Sequence, residues 1–358
     1  MTKFLTGFPG FLGAALTERL LERDESVVCL VQPEYLAEAE ERAAAIVDRT
    51  DAPSTAVTLV TGDVTEPELG LDDPDDHQEA TDELYHLAAI YDLGVEREPA
   101  ERVNVAGTEA VLDFAIDADV DRLHYVSTCY VSGRHDGVFG PEDLDLGQTF
   151  NNHYEATKFE AEVAVQRRMD EGLPTTIYRP AIVTGDSTTG ETAKYDGLYY
   201  LLDLIDRQPT IAAAPVHPPA DSYEFNVVPR NFVVDAIAHL SAREDTVDEV
   251  YQLCDPSPPT VGRLTSICGD ALGQRVLGVP VHARLAGRAL DAVPGLADRL
   301  GLEPASLDYL GHPTSYVCPN TRRALSKTAI ECPPLESYVD ELVAFKRANP
   351  SIRTTAMQ

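Results

Sequence analysis

The sequence predicts an α/β fold in which a parallel sheet is covered by helices on both faces. Two observations predict it. Short apolar runs alternate with longer helical patterns through the first half of the chain, and a glycine-rich stretch joins the first run to the first helical pattern. Strands that alternate with helices in this way form βαβ units, whose strands run parallel. The order of the elements is that of a doubly wound, nucleotide-binding arrangement.

The individual elements follow from the spacing of the apolar residues. Strands are predicted over residues 3–7, 26–32, 56–63, 83–89, 122–128 and 174–180, and helices over 11–23, 34–49, 99–118 and 153–172. After Tyr178 the pattern loosens. A strand leading into a helix is predicted over 224–240, a core strand over 249–255 and a closing helix over 335–349.

Changes in composition divide the chain. Residues 1–184, with the returning segment 222–255, are predicted to form a Rossmann nucleotide-binding domain. Residues 185–221 are rich in Gly, Pro, Tyr and Thr, and proline recurs through 256–335. We expect these two segments to form a smaller substrate lobe over the strand ends. Residues 336–358 are expected to be a C-terminal helix and tail.

The chain is strongly acidic. Its 60 Asp and Glu residues against 28 Lys and Arg give a net charge of −32. Such a surface repels nucleic acid and anionic membranes, so neither is expected as a partner. The acids are spread along the whole chain, which favours a solvated surface suited to a salt-rich cytoplasm over an acidic face that binds a partner.

Cysteine spacing and the N-terminus indicate the compartment. The six cysteines form no C-x-x-C pair and no zinc-like cluster with histidine, so we expect reduced thiols and no metal. The first residues run straight into a strand pattern, without the apolar segment of a signal peptide or a stretch long enough to span a bilayer. The sequence therefore predicts a cytoplasmic protein.

The stretch TGFPGFLG, at residues 6–13, lies between the first strand and the first helix. Gly7 allows a tight turn, Gly10 allows a pyrophosphate to approach the backbone, and Gly13 allows the helix to pack closely on the strand. The N-terminus of the helix offers free N–H groups and a positive dipole end to phosphates. The stretch therefore predicts a dinucleotide site, with an ordinary strand–helix turn as the alternative.

Two further residues bear on the nucleotide. Asp63 follows the third strand and can accept a hydrogen bond from the adenine amino group. Gln32 ends the second strand, where an acid binds the ribose 2′-hydroxyl of NAD and an arginine binds the 2′-phosphate of NADP. A neutral glutamine can do either weakly, and Glu34 lies nearby, so both cofactors remain open.

Tyr154 and Lys158 are four residues apart on a predicted helix and therefore share one face. An ammonium beside a phenol lowers the phenol pKa, so this tyrosine is expected to pass a proton to or from a substrate oxygen. Ser127 and Thr128 end the fifth strand, where ligands bind, and either hydroxyl can hold that oxygen. The alternatives are a solvated helix face and a turn cap.

These motifs together resemble those of the extended short-chain dehydrogenases/reductases, of the NAD-dependent epimerase/dehydratase superfamily. The resemblance covers nearly the whole chain. The matching stretches are TGFPGFLG, TGD (61–63), HLAA (86–89), NVAGT (104–108), VSTCYVSG (126–133), YEATK (154–158), YRPAIVTGD (178–186), VVPRNFVVDAI (227–237) and YQLCDP (251–256).

The resemblance implies a role for each matching residue. It implies Tyr154 as the acid/base with Lys158 as its partner, Thr128 as the catalytic hydroxyl with Ser127 second, and Asn104 as the holder of a water in a proton relay. Arg179 and Pro180 are implied to lie beside the nicotinamide and substrate. The implied cofactor-binding residues are Gly7, Phe8, Pro9, Gly10, Phe11, Leu12, Gly13, Gln32, Asp63, Val64, His86, Leu87, Ala88, Ala89, Lys158, Tyr178, Arg179 and Pro180.

Within that group, TGFPGFLG, YHLAAIYDL and STCYVSG look most similar to the thioester reductase and fatty acyl reductase branch, once called male-sterility domains. That branch uses NADP and commonly carries Arg where Gln32 stands. The implied activity is hydride transfer to or from a carbonyl, an alcohol or an acyl thioester. We expect any thioester to arrive as a separate molecule. The resemblance also suggests a homodimer through helices near 99–117 and 152–171.

Two other functions fit the same motifs. One is a nucleotide-sugar epimerase that keeps its NAD bound, and the other is a non-catalytic protein that binds NAD(P). The second is disfavoured because a pure binder needs no Tyr–Lys pair aimed at the nicotinamide. The run DSTTGETAKYDGLYYLL brings Lys194, Tyr195 and Tyr199 near the expected substrate lobe, either to contact substrate or to pack as an aromatic loop.

Overall fold

The computed structural model describes residues 2–216, 219, 222–280 and 304–352. The strands are β1 Thr2–Thr6, β2 Ser26–Val31, β3 Val57–Thr61, β4 Glu83–His86, β5 Arg122–Val126, β6 Gly137–Phe139, β7 Thr175–Pro180, β8 Ile182–Thr184, β9 Ile211–Val216, β10 Val227–Pro229, β11 Glu249–Leu253, β12 Arg275–Pro280 and β13 Thr314–Tyr316. The helices are α1 Phe11–Leu21, α2 Leu36–Thr50, α3 Pro74–Ala80, α4 Arg97–Ala100, α5 Gly107–Asp117, α6 His153–Asp170, α7 Leu198–Asp206, α8 Arg230–Ser241, α9 Val261–Leu272, α10 Pro319–Leu325 and α11 Val339–Ala348.

Seven parallel strands form the main sheet, in the order β3-β2-β1-β4-β5-β7-β11. The chain reverses its direction across the sheet between β1 and β4, where Thr6 pairs with His86. Ligands of open parallel sheets bind outside the carboxyl ends of the strands at such a switch point. The predicted doubly wound fold is confirmed, and its switch point brings the glycine-rich turn beside the end of β4.

Alternation along the strands explains why helices cover both faces. In β1, Phe4 belongs to one apolar cluster and Leu5 to another, because successive side chains point to opposite faces. The cluster with Leu5 is completed by α1, α2 and α8, and the cluster with Phe4 by α5 and α6. Both faces of the sheet are therefore buried, as parallel sheets require.

The helix predicted over 99–118 is interrupted. The structure has α4, then a π-helical turn over Glu101–Ala106, then α5. The turn contains the buried Asn104, whose side chain bonds the backbone of Ile90 in the loop after β4. A wider turn of this kind often marks a functional site, and apolar spacing alone does not reveal it.

A third apolar cluster lies outside the main sheet. It gathers side chains from α7, β9, α9 and α11, including Leu202, Ala214, Ile267 and Leu342. The small sheet β9–β12 contributes to this region, and two more two-stranded sheets pair β8 with β10 and β6 with β13. The division into a Rossmann domain, a substrate lobe and a tail stays a prediction, and its residues 281–303 and 353–358 lie outside the described part.

The described residues offer neither a membrane span nor a metal cluster. No helix among them is long and apolar enough to cross a membrane. They also contain no group of three or more His, Cys, Asp or Glu residues arranged to hold a metal ion. All six cysteines are free thiols.

Candidate active site

A cleft of about 340 Å³ opens at the carboxyl ends of the strands. Most of the residues proposed from the sequence line it, namely Gly7, Phe8, Pro9, Gly10, Phe11, Leu12, Gly13, Gln32, Asp63, Val64, Leu87, Ala88, Ala89, Ser127, Thr128, Tyr154, Lys158 and Pro180. His86, Asn104, Tyr178 and Arg179 do not line it. The fold therefore brings into one cavity residues that are far apart in the chain.

The glycine-rich turn is held by its own contacts. Gly7 has a φ of +94°, which a residue with a side chain rarely adopts, and a Cβ there would lie 2.8 Å from the backbone of Leu87 and Ala88. At Gly10 and Gly13 an added Cβ would meet the Gly7 carbonyl oxygen, at 2.7 and 2.4 Å. The turn itself therefore requires glycine at position 10. This requirement is separate from the close approach of a pyrophosphate that the sequence predicts.

Beyond the turn, the start of α1 offers its first N–H groups to the cleft, since these have no partner within the helix. The groups fit a dinucleotide pyrophosphate, which needs a close-approaching backbone and N–H donors. The residues present at this end therefore fit the cofactor that the sequence predicts.

At the other end of the cleft, Gln32 and Asp63 bind each other. The Gln32 Nε2 donates to Asp63 Oδ2 at 2.8 Å, and the backbone and hydroxyl of Thr65 donate to Oδ1 at 2.8 and 2.9 Å. Burial raises the pKa of Asp63, but these bonds outweigh it and hold that pKa below its usual value. The carboxylate is thus charged and fixed in orientation, which suits an acceptor for an adenine amino group.

One basic side chain that was not proposed from the sequence binds the glycine turn beside the cleft, although it does not line the cleft itself. Arg42 on α2 donates from Nη1 to the Pro9 carbonyl at 2.6 Å and from Nη2 to Glu38 at 3.1 Å. Its side chain is 33% exposed, so the guanidinium remains open to a ligand. Helical spacing from the end of β2 would not have located it, because the contact depends on how α2 packs beside the turn.

Tyr154 lies at the N-terminal end of α6 and lines the cleft together with Thr128, which is close enough to lower the pKa of its phenol. The expected lowering of the Tyr154 pKa is wrong for this structure. Burial raises the pKa of Tyr154 well above its usual value, and the nearby Thr128 only partly opposes that effect. The phenol is therefore held in its protonated form.

Lys158 does not produce the expected lowering, because its ammonium is directed at β5. Its Nζ donates to the Tyr125 hydroxyl and to the Val126 carbonyl, each at 2.9 Å, and sits 4.5 Å from the centre of the Tyr125 ring. Burial lowers the pKa of Lys158 to about 7, against a weaker opposing effect of Glu162. The lysine is thus anchored on β5, and it still lines the cleft.

Ser127 and Arg179 bind the same carboxylate behind the cleft, although Ser127 also lines the cleft. The Ser127 hydroxyl donates to Glu162, and Arg179 donates to the same carboxylate from Nη2 at 2.6 Å and from Nε at 2.9 Å. Arg179 and Glu162 are fully buried. A buried guanidinium needs a carboxylate partner, so Arg179 lies behind the cleft, and its place beside the nicotinamide stays a prediction.

Three other residues support the cleft from behind. Asn104 bonds both backbone groups of Ile90 and donates to Thr157 at 3.0 Å, so its amide is fully engaged and does not reach the cleft. His86 bonds Thr6 and Thr108, and Tyr178 bonds His124. The side chains of His86 and Tyr178 therefore point into the protein, and a contact of these residues with cofactor stays a prediction.

An apolar pocket joins the cleft at Tyr154. Tyr91, Tyr130, Tyr154 and Ile182 line both cavities and form the junction between them. No charged side chain lines the pocket among the described residues, which are Tyr91, Leu93, Tyr130, Tyr154, Ile182, Gly197, Tyr200, Leu201, Leu204, Pro215, Phe225, Leu264, Tyr309 and Leu310. It suits an uncharged, apolar part of a substrate.

The residues of the aromatic run after residue 190 are divided between the cleft and the third apolar cluster. Lys194 lines the cleft, together with Asp196, a residue that no sequence motif singled out. Tyr195 and Tyr199 are buried in the third apolar cluster, where the Tyr195 hydroxyl donates to the Asn349 carbonyl and the Tyr199 hydroxyl accepts from Gly185 N. Those two tyrosines pack the lobe and do not contact the cleft.

Among the residues that sequence reasoning missed, Glu162 carried a readable signal. It follows Lys158 by four residues, as Lys158 follows Tyr154, so all three share one face of α6. A carboxylate on the helix face that also carries the Tyr–Lys pair is expected to be buried and therefore to need a cationic partner. Tyr91, Tyr130 and Asp196 gave no such signal because their positions depend on loops.

A parallel sheet with a glycine turn at its switch point, and a tyrosine paired to a strand-end threonine beside it, define an NAD(P)-dependent oxidoreductase of the extended short-chain dehydrogenase/reductase type. Residues 5–237 match the family described as male sterility protein, and the chain belongs to that family. Its cofactor is NAD or NADP. The nucleotide-sugar epimerase alternative is less well supported than a reductase.

The relatives include large peptide synthetases. A linear gramicidin synthase of Brevibacillus parabrevis is 28% identical over 94% of this chain, and the non-canonical nonribosomal peptide synthetase FrzA of Cladobotryum sp is 30% identical over 90%. The chain spans only 7% and 34% of the length of those proteins. The terminal R domain from the myxalamid PKS-NRPS biosynthetic pathway is similar in structure, with a TM-score of 0.83, 26% identity, and coverage of 99% of this chain and 92% of that one.

Proposed function

We propose that the protein reduces the carbonyl carbon of an acyl thioester to an aldehyde, with Tyr154 as the proton donor. One observation carries this proposal. The phenol of Tyr154, beside Thr128, stands at the junction between a cleft that fits a dinucleotide and a pocket whose described lining is mainly apolar and carries no charged side chain. A carbonyl placed at that junction can have its apolar substituent in the pocket and its oxygen on Tyr154.

A nicotinamide cofactor held in the cleft would supply the hydride. The hydroxyls of Thr128 and Tyr154 hold the carbonyl oxygen, and Tyr154 gives that oxygen its proton as the hydride reaches the carbon. When the carbon–sulfur bond of a thioester then breaks, the hydroxyl proton returns to the Tyr154 phenolate. The thiolate leaves and takes a proton from solvent, so the products are an aldehyde and a thiol.

The pKa directions support an acid role. Burial raises the pKa of Tyr154 and keeps it protonated, which is the form that a reduction needs at its start. Lys158, whose pKa is lowered to about 7, changes charge near neutral pH and lies on the same helix face. A charged Lys158 would stabilise the phenolate that forms after proton transfer and would bind the nicotinamide ribose hydroxyls.

We also propose NADP as the preferred cofactor. Arg42 would bind its 2′-phosphate, because this chain has a glutamine, Gln32, at the position where related proteins commonly carry an arginine. Arg42 donates to Pro9 within the glycine turn, and Pro9 and Gln32 both line the cleft. A partly exposed guanidinium is the usual partner of a 2′-phosphate. Gln32 carries no charge and is engaged with Asp63, so it cannot supply one.

We propose a cytoplasmic homodimer as the working form of the protein. The supporting observation is that two of the few large apolar side chains exposed in the described structure, Ile116 on α5 and Val163 on α6, lie on neighbouring helices. The acidic composition supports a solvated surface in a salt-rich cytoplasm.

A panel assay tests the proposed reaction. Oxidation of NADPH and of NADH is followed in parallel with acyl-CoA thioesters of increasing chain length and with the matching aldehydes, at low and high KCl. We expect turnover of apolar acyl thioesters, with the aldehyde identified by mass spectrometry. Absence of turnover with every substrate and both cofactors, in protein that binds either cofactor, would contradict the proposal.

A further inference from the structure

An ion pair lines the cleft but takes no part in the reaction proposed above. Lys194 Nζ lies 3.2 Å from Asp196 Oδ2, and the two side chains are 19% and 14% exposed. Both residues line the same cavity as Tyr154 and Lys158. They belong to the segment between β8 and α7, which the sequence singled out and which no role assigned above explains.

The pair is fixed at the junction of the two cavities. Lys194 Nζ also donates to the Tyr91 carbonyl at 3.2 Å and lies 4.8 Å from the centre of the Tyr91 ring. The Tyr91 ring in turn packs edge-on against Tyr154, with 5.0 Å between their centres. Asp196 is close enough to Tyr154 to influence the charge on its phenol. The ion pair therefore stands beside the position proposed for the reacting carbonyl.

The ion pair lies on the cleft side of that junction. Tyr91 and Tyr154 line both cavities, whereas Lys194 and Asp196 line only the larger cleft. A thioester has two limbs, an acyl chain and a thiol arm. The apolar pocket matches the acyl chain, so the thiol arm would leave through the cleft and pass the ion pair.

The charges on the pair select the kind of group that it can hold. An anionic group would be repelled by Asp196 and a cationic group by Lys194, whereas a neutral group with both a donor and an acceptor can bind both side chains. An ammonium has three donors, and Lys194 uses two of them, on Tyr91 and Asp196. The third is available to a carbonyl oxygen, and the Asp196 carboxylate has capacity for an N–H.

We propose that Lys194 and Asp196 bind the amide nearest the sulfur in the thiol arm of the substrate, as found in pantetheine-type thiols. The amide carbonyl accepts from Lys194 and the amide N–H donates to Asp196. The proposal rests on the proposed function, since it assumes a thioester at Tyr154. It makes these two residues determinants of specificity, with no part in proton or hydride transfer.

Three thioesters of octanoic acid separate the two hydrogen bonds. The N-acetylcysteamine thioester carries the amide, the S-(2-acetoxyethyl) thioester replaces its N–H by oxygen, and the S-pentyl thioester has neither group. The S-pentyl thioester serves as the reference for each variant. We expect the wild-type kcat/KM, relative to the S-pentyl compound, to be about tenfold higher for the amide than for the acetoxy compound, as one lost hydrogen bond in a buried site predicts.

The variants give opposite patterns. Asp196→Asn should abolish the advantage of the amide over the acetoxy compound, and Lys194→Met should lower both of these toward the S-pentyl compound. A matched control is the Lys346–Asp203 pair, whose side chains are 19% and 20% exposed and whose lysine packs over Tyr195. Lys346→Met and Asp203→Asn should leave the selectivity as in the wild type.

Binding separates the failure of this inference from the failure of the proposed reaction. The unreactive thioethers S-octyl-N-acetylcysteamine and octyl pentyl sulfide are titrated into wild-type and Asp196→Asn protein by calorimetry with NADPH present. Tighter binding of the amide compound by the wild type alone supports the inference even without turnover. Equal selectivity in wild type and Asp196→Asn, or equal loss for all three thioesters in both site variants, would overturn it.

Discussion

Tyr154 is the one residue on which the proposed chemistry depends directly. We expect Tyr154→Phe to lower kcat by about 100-fold or more, the usual effect of losing a positioned proton donor. Cofactor affinity should change little, because the phenyl ring remains and Thr128, not the glycine turn, is the neighbour that lowers the phenol pKa. Steady-state kinetics with NADPH, alongside cofactor titration, measure both. Activity close to that of the wild type would show that the proton comes from elsewhere.

The buried Lys158 makes the free energy of unfolding of the cofactor-free protein depend on pH. Its pKa is about 7 when folded and about 10.5 when unfolded. Between those pH values the unfolded chain holds a proton that the folded chain lacks, so the free energy of unfolding rises with pH, by up to about 1.4 kcal/mol per unit. Below pH 7 the full penalty for burying the ammonium applies.

We therefore expect Lys158→Met to remove that rise. Urea unfolding at about pH 7, 8 and 9, across the interval between the two pKa values, gives the free energy of unfolding of each protein. The difference between wild type and variant should shift in favour of the wild type as pH increases. Other groups titrate equally in the two proteins and cancel in this comparison. Parallel curves would mean that Lys158 remains charged when folded.

Arg42 yields a prediction about the cofactor. Its guanidinium lies on the glycine turn and is proposed to bind the 2′-phosphate, so Arg42→Gln should weaken NADPH binding by about tenfold and NADH binding much less. Gln32→Arg should have the opposite effect and favour NADPH further. Calorimetric titration of both cofactors into the three proteins decides the matter, and equal losses for NADPH and NADH in Arg42→Gln would refute the assignment.

At the scale of the element, helix α6 carries both the proposed acid/base pair and a buried carboxylate that holds residues behind the cleft. Tyr154, Lys158 and Glu162 occupy one face over successive turns, and Glu162 binds Arg179 and Ser127 beneath the cleft. Helical spacing alone predicted that the first two share a face. It could not show that Ser127 and Arg179 both bind Glu162, because that contact depends on a buried charge that must be neutralised by its neighbour.

The buried pair leads to a stability prediction. Glu162→Ala leaves the Arg179 guanidinium buried without its partner and should lower the free energy of unfolding by about 3–5 kcal/mol. The double variant Glu162→Met, Arg179→Met should recover much of that loss, since it buries no charge. Asp113→Ala, which breaks an exposed pair with Arg168, is the matched control and should cost at most about 1 kcal/mol. Equal effects of Glu162→Ala and Asp113→Ala in denaturant unfolding would contradict this account.

At the scale of the whole molecule, local patterns predicted some levels of structure and not others. Alternating strands and helices indicated the parallel sheet, because both are repeated local signals. The pairing of β9 with β12, and the apolar pocket formed by loops and lobe segments, depend on residues far apart in the chain. The acid/base tyrosine could therefore be proposed from the sequence. The apolar pocket beside it, and the pairing of Lys194 with Asp196 in the cleft, could not.

The proposed dimer provides the last prediction. Val163 on α6 is 41% exposed and Ile116 on α5 is 43% exposed, on two helices that pack together. A paired helical surface would bury these side chains, and a charge placed within it would cost several times the free energy of a surface substitution. We expect Val163→Glu to convert the wild-type dimer to a monomer in sedimentation equilibrium. Val138→Glu, at a 59% exposed apolar residue on β6 away from these helices, should leave the dimer intact. Because the cleft is built from one chain, the Val163→Glu monomer should retain cofactor binding, and loss of binding together with the dimer would show that the partner subunit contributes to the site.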